Sequence, residues 1–347
     1  MRPNESCLVP ARSSLSGCPP PLKFAQHDDA FVAALRLRVD EMFSSTGRRR
    51  RDCAAMYLKT AIIITWFAAS YVLLVFFAAT WWQSLLAAVS LGLSMASIGF
   101  NIQHDGSHAA YSNRPWINSL MAMTLDLLGG SSYYWKRTHN QIHHTYTNIV
   151  DLDRDIGYGI LRMSEDQKWT PYYLGNPVYA FLLMVLFQYG VALHELETER
   201  IRAGEIKLRD KKDMLREMWA KVRRQTVKDY VAFPLLAGPF APFVFAGNMT
   251  ANLMRNVWSY TIIFCGHFPE GTHEFTVEET KSETRGQWYY RQLLGSANLS
   301  GGKGFHIFSG NLSFQIEHHL FPDIPAHRYA EISGEVRQIC QKYGLPY

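Results

Sequence analysis

The chain has 347 residues, 48% of them hydrophobic and 14% aromatic, with a formal net charge of +5 and a mean hydropathy of −0.12. That length exceeds the usual single domain, yet one integrated domain is accommodated if part of it lies in a membrane, and the small charge beside long apolar runs argues against a nucleic-acid-binding protein. The average hydropathy looks like that of a soluble protein and conceals segregation along the chain.

Residues 1–27 contain Pro and Ser and no apolar run that would make a signal peptide, so they are expected to be a disordered leader, with 28–347 as a single domain. An amphipathic helix is predicted over 28–46, capped by Asp28 or Asp29, with Phe31, Leu35, Met42 and Phe43 on its apolar face and Gly47 at its end; its expected place is the membrane surface. Arg48 to Arg51 follow immediately, and the positive-inside rule puts this end in the cytosol.

Between Lys59 and His104 there is no charged residue. At about 1.5 Å per residue this run is roughly twice the ~30 Å hydrocarbon core, so it reads as two spans, about 60–80 and 83–103, turning near Trp81, Trp82 and Gln83. A second hairpin is predicted over 230–268, with spans of about 230–247 and 249–267 and a turn at Gly247-Asn248; Arg255 is its one charge and marks function or a buried partner. Two further apolar stretches, 117–130 and 176–193, are expected to be interfacial or re-entrant, because an even number of crossings must separate histidines that share one side. The basic stretch 200–228 suits a cytosolic face near lipid headgroups or an acidic partner. Cys7, Cys18, Cys53, Cys265 and Cys340 form no CxxC pair and read as free thiols of a reducing compartment.

Three histidine boxes fall just outside the predicted spans. The first, His104-Asp-Gly-Ser-His108, is an i, i+4 pair able to close on one ion. In the second, His139-Asn-Gln-Ile-His143-His144, His143 shares the face of His139 while His144 is turned away, so the box feeds two ions. The third has Gln315 ahead of His318 and His319. Singly, each pattern occurs on ordinary surface helices; converging on one face of a membrane hairpin, they point to metal. Imidazoles suit Zn, Fe or Cu, and seven of them exceed one coordination sphere, so two ions are implied. A site at the mouth of membrane spans, facing apolar chains, favours O2 chemistry on two irons over zinc hydrolysis.

These boxes, in the strings NIQHDGSHAAYS, KRTHNQIHHTYTNIVDLDRDIGYG and QIEHHLFPDIPAHRYAEI, resemble the integral-membrane fatty acid desaturase superfamily. The QxxHH third box is similar to that of its acyl-CoA and front-end acyl-lipid branch, which includes bacterial linoleoyl-CoA desaturase-like and stearoyl-CoA desaturase-like proteins. The resemblance implies an all-α fold of two transmembrane hairpins, about four spans, with interfacial helices and a cytosolic cap holding a di-iron site in a bacterial inner membrane. It implies His104, His108, His139, His143, His144, His318 and His319 as ligands, and His267 in FCGHFP as an eighth. The implied reaction uses O2 and two Fe ions to place a cis double bond in a long-chain acyl-CoA or acyl-lipid.

Around these ligands, Asp126, Asp151, Asp153, Asp155 and Glu317 are candidate acceptors for outer imidazole N–H groups. Gln315 and Asn311 are candidates beside them, and Gln315 either touches metal or orients a neighbour. Tyr133, Tyr134 and Trp135 line a substrate tunnel or belong to the core. Lys136 and Arg137 bind a headgroup phosphate or act as a positive-inside anchor. Unlike some relatives, the chain carries no HPGG haem motif, so electrons are expected from a separate ferredoxin, cytochrome b5 or flavoprotein reductase. His27, His194, His273, His306 and His327 match no box. Alternatives are a lipid hydroxylase on the same scaffold and, more remotely, a zinc-binding membrane receptor or transporter.

Overall fold

A computed structural model of the protein describes residues 28–190 and 196–347; the expected leader 1–27, the end of the apolar stretch 176–193 and His194 lie outside the described residues. Those residues form helices and loops, with one isolated bridge between Ile149 and Phe275.

Helix α1 (Asp28–Thr46) matches its predicted bounds, but its apolar face does not lie on a membrane. Phe31, Val32, Leu35, Val39 and Phe43 are buried in a core shared with Tyr289, Leu320, Ile332 and Val336. The face finds a protein partner first, and Arg36 closes the edge by donating from Nε to the Tyr289 hydroxyl at 3.1 Å.

Helix α2 (Ala54–Phe77) and helix α3 (Trp81–Ser107) are each long and apolar enough to cross a membrane. Thr80 caps α3 by accepting from the Gln83 amide, which puts the turn at 78–80, just before the tryptophan pair. Inside an apolar hairpin a few polar contacts fix register. Trp66 Nε1 donates to Ser90 Oγ at 2.8 Å, and Ser70 and Ser90 hydroxyls lie 2.8 Å apart.

The next segment consists of short pieces: α4 (Pro115–Ala122), α5 (Thr124–Leu127), α6 (residues 132–146) and α7 (Asn176–Val185). Those in 117–130 and 176–185 are too short to cross a membrane by themselves. Helix α8 starts at Lys212, runs as α-helix to Val227 and continues through wider π turns (Lys228–Ala232) and a last turn, Phe233–Leu236. The basic residues after 212 are thus the polar start of a long helix.

Helix α9 (Ala241–His267) is unbroken and corrects the second predicted hairpin. There is no turn at Gly247-Asn248, and 230–247 and 249–267 are not separate elements. Gly247 is a close-approach site instead: a Cβ there would meet Leu74 Cδ1 at 2.5 Å and Ser84 Oγ at 2.8 Å. The Asn248 amide donates to the Asp229 carbonyl at 2.7 Å, so it joins helices rather than ending one. The reversal occurs at Gly238, whose φ of +56° only glycine adopts readily, with Pro239 opening the next turn. Helices α10 (Arg285–Leu294), α11 (Gln315–Leu320) and α12 (Tyr329–Lys342) pack with α1 as a cap over the ends of α3 and α9.

Candidate metal centre

Each box arrives on a helix end. A π turn over Gly99–Gln103 precedes His104, and the second box lies in a π segment, Lys136–His143, within α6, with His144 just past its end. Such wide turns recur at functional sites because they rotate side chains off the regular face. Here the winding leaves His143 and His144 at 5.1 and 5.0 Å from His139, ring centre to ring centre, one stacked and one edge-on. The third box is α11, whose Ile316 amide is held by Asn298 Oδ1 at 3.0 Å. Cross-links register the boxes: Asn140 donates to the Ser107 carbonyl at 2.6 Å, and Asp105 accepts from the Ala326 amide at 3.0 Å.

The eight histidines form two adjoining groups. His104, His108, His139 and His318 place one potential ligand atom each within 4.8 Å of one another, and so do His143, His267 and His319. His144 joins His318 and His319 in a third such set between them. All but His108 are buried. His267, reached only by resemblance, stands 4.6 Å from His143 and 4.8 Å from His319.

The ring nitrogens fit metal on their inner side. Buried atoms without a hydrogen-bond partner include Nε2 of His108, His139, His143, His318 and His319, Nδ1 of His267, and both nitrogens of His104 and His144. Leaving that many buried polar atoms unpaired is unfavourable by about 1–3 kcal/mol each, and cations held between them remove the penalty. Four of the outer nitrogens are tied down. His143 Nδ1 lies 2.9 Å from Asp153, His139 Nδ1 3.2 Å from Asp155, His319 Nδ1 2.8 Å from Gln292 Oε1 and His318 Nδ1 3.2 Å from the Tyr329 hydroxyl. These contacts fix tautomer and ring orientation.

Burial, reinforced by neighbouring imidazoles, holds His108, His144, His318 and His319 well below the ordinary histidine range. His139 is lowered to about 4 by burial, against the opposing pull of Asp155. Neutral imidazole is the ligand form. For His143, burial works downward, but Asp153 and Asp155 together raise it.

Of the other predicted residues, Asp153 and Asp155 do meet imidazoles. Asp126 is instead bonded by Lys221 Nζ at 2.5 Å, Glu317 by Asn298 and Tyr347, and Asp151 sits in a left-handed turn ahead of Asp153. Asn311 occupies a turn, with φ +60° and its amide donated to the His306 carbonyl rather than to a box histidine. Gln315 is buried beside His104, His267 and His318 with Oε1 unpartnered. Lys136 and Arg137 are exposed on the outer side of α6, and of the three aromatics before them Trp135 lines the cavity while Tyr133 faces outward. His273, His306 and His327 fall outside the groups. Gln292 and Tyr329 escaped the sequence reading, since neither stands at a helical spacing from the histidine it holds.

A largely apolar cavity opens onto His104, His139, His267 and His318 and runs between α3 and α9, with Met95, Phe100, Leu128 and Ile263 among its walls. Its lining is mostly apolar apart from the histidines and a few polar side chains, Gln103, Gln188, Arg255, Asn256 and Gln315 among them.

The family model for fatty acid desaturases matches residues 79–347. The chain is 43% identical over 267 residues to the NADPH-dependent stearoyl-CoA 9-desaturase of Mycobacterium tuberculosis, a match that covers 75% of this chain and 62% of that protein. It therefore spans less than two thirds of that relative. It is 30% identical over 330 residues to the sn-1 linoleoyl-lipid 6-desaturase of Synechocystis sp., covering 94% of this chain and 92% of the relative. An acyl-lipid (8-3)-desaturase of Physcomitrium patens is 27% identical over 336 residues, 93% of this chain.

Proposed function

The chain belongs to the fatty acid desaturase family, and from that premise we propose that it is an O2-dependent acyl desaturase that inserts a cis double bond into a long-chain acyl-CoA or acyl-lipid. The observation that carries this reading is the coincidence of eight converging histidines, each with a buried unpartnered nitrogen, and an apolar cavity ending on them. His104, His108, His139 and His318 would hold one iron; His143, His267 and His319 the other, with His144 between. When bound, the two irons supply the activation of O2 and the power to remove hydrogen from an unactivated methylene.

The chain's own residues supply position and environment. Asp153, Asp155, Gln292 and Tyr329 hold imidazoles in the ligating tautomer. The cavity walls orient one carbon pair toward the histidines and exclude water, and Gln315 offers its free carbonyl oxygen at that point. Electrons come from a separate redox protein, and Lys136 and Arg137 offer exposed cations near the cavity for a headgroup.

In this reading α2, α3, α8 and α9 are four spans of a bacterial inner membrane, α8 entering it from a basic start outside the hydrocarbon, with the amino terminus and the metal centre on the cytosolic side. Arg48 to Arg51 before α2 support that orientation. Exposed Leu235, Leu236, Phe245 and Met249 support a lipid-facing second hairpin. The deciding experiment is expression in a host with a defined fatty-acid profile, followed by mass spectrometry. Products two hydrogens lighter, dependent on O2 and on His143, are expected; products one oxygen heavier with no loss of hydrogen refute the reading in favour of a hydroxylase.

A further inference from the structure

The end of the cavity remote from the histidines carries a charge with no ion-pair partner among the described residues. Arg255 precedes His267 by twelve residues on α9, and Met95 precedes His104 by nine on α3. At a rise of 1.5 Å per residue these are separations of about 18 and about 14 Å. Both helices thus run from one inner end of the cavity to the histidines, and Arg255, Asn256 and Gln188 lie at that inner end.

Arg255 is only 6% exposed. Its Nη1 reaches the Leu128 carbonyl at 3.4 Å, and its Nε and Nη2 reach Asn256 Oδ1 at 3.4 and 3.2 Å, all long contacts for a guanidinium with five donors. The nearby acid, Asp229, is held by Lys228 Nζ at 3.0 Å, Gln225 at 2.8 Å, Tyr71 at 3.1 Å and Asn252 at 3.2 Å. Gln188 Oε1 is buried without a partner. An otherwise apolar cavity therefore ends on the long contacts of the Arg255 guanidinium and the free Oε1 of Gln188, beside an Asn256 amide that donates to the Val185 carbonyl at 2.7 Å. Methylene groups laid against them would keep them from water and return no hydrogen bond, whereas small numbers of water molecules would satisfy them.

Building on the acyl-desaturase reading, we propose that Arg255, with Asn256 and Gln188, is a polar stop that limits how much acyl chain lies beyond the reacting carbons. Arg255 is then the residue that sets chain length on the methyl side. A structural reading competes with this: Arg255 pins the Leu128 carbonyl at the tip of the loop after α5. The two differ in what an apolar replacement does. A stop that is removed admits longer chains, while a lost pin loosens the loop and leaves length preference alone.

The test uses the full chain in membranes, supplied with saturated acyl chains of graded length, with products sized and double bonds located by mass spectrometry. Arg255→Leu is expected to shift the upper length limit by two or more carbons and to raise conversion of chains just beyond the wild-type limit about tenfold, while Arg255→Lys keeps the limit. Gln188→Leu, more conservative for folding, moves the limit in the same direction. A second readout needs no turnover: chains that co-purify with His143→Ala protein are sized, and adding Arg255→Leu lengthens them. An unchanged length profile in both readouts, with normal protein yield and melting temperature, overturns the stop. Should wild-type protein desaturate no chain at all, the desaturase reading fails by itself, and the co-purified lengths still decide the stop.

Discussion

Replacing Asp153 by Asn probes the centre without touching a ligand. One carboxylate oxygen of Asp153 accepts from His143 Nδ1 at 2.9 Å and from the Asn148 amide at 2.9 Å; the other accepts from the Asp155 amide at 2.9 Å. The amide of Asn keeps one acceptor oxygen and turns the other into an NH2 group. Whichever way it is placed, at least one former donor now faces a donor. If the surviving oxygen stays with Asp155, both His143 and Asn148 lose their acceptor. Loss of such an outer contact typically weakens metal binding 10- to 100-fold, which is about 1.4–2.7 kcal/mol. The stranded amide costs a further 1–3 kcal/mol or so of fold stability. Purified protein would be titrated with a competing chelator while bound metal is measured by mass spectrometry, with melting curves in parallel. A fall in affinity within that range and a lower melting temperature are expected. Wild-type affinity in a folded Asp153→Asn protein would refute the idea that this carboxylate aims His143 at a metal.

Further outcomes follow from other contacts. His267→Ala should lower the metal content of purified protein, whereas His273→Ala, outside the histidine groups, should leave it unchanged; equal metal content in both would remove His267 from the ligand set. Gln292→Leu removes the Oε1 acceptor 2.8 Å from His319 Nδ1, while the Thr147 hydroxyl keeps the His143 carbonyl at 2.7 Å, and should weaken metal binding about tenfold or more, as read by the same chelator competition. Stripping metal should lower the melting temperature, and readdition of two equivalents of ferrous iron under anaerobic conditions should restore it; no shift would contradict a metal that satisfies the unpartnered nitrogens. Gly247→Val drives side-chain atoms into Leu74 and Ser84 and should destabilise by about 1–3 kcal/mol, measured as a loss of melting temperature. A surface turn at that position would tolerate the change.

The last of these marks where the sequence stops being legible. Gly-Asn is a common turn dipeptide, and midway along an apolar stretch it reads as one. The same two residue types also serve close helix contact: glycine lets backbones approach, and asparagine bridges to a neighbouring carbonyl, here that of Asp229. Choosing between them requires knowing which helix lies opposite, and that is tertiary information. The first hairpin had no such ambiguity, because forty-odd uncharged residues are too long for one span whatever they pack against. Helix α1 failed in a related way: its apolar stripe was read correctly, but a stripe does not say whether lipid or the Tyr289 side of the cap will cover it.

The metal centre divides along the same line. The convergence of the box histidines was legible because side chains that meet from one helix end must keep helical spacing, and that constraint is local. Their supports are not so constrained. Asp153 and Asp155 follow His143 closely enough to be guessed, but Gln292 reaches His319 from 27 residues upstream and Tyr329 reaches His318 from 11 residues downstream, across separate helices of the cap. Any residue of the right polarity at the right point in space can fill such a role, so the primary structure places no periodic mark on it. The same freedom explains Asn311 and Glu317, which lie beside the third box in the chain yet form other bonds. Nearness in sequence marks the histidines that converge here, whereas the packing of α10 and α12 against α11 selects what holds them.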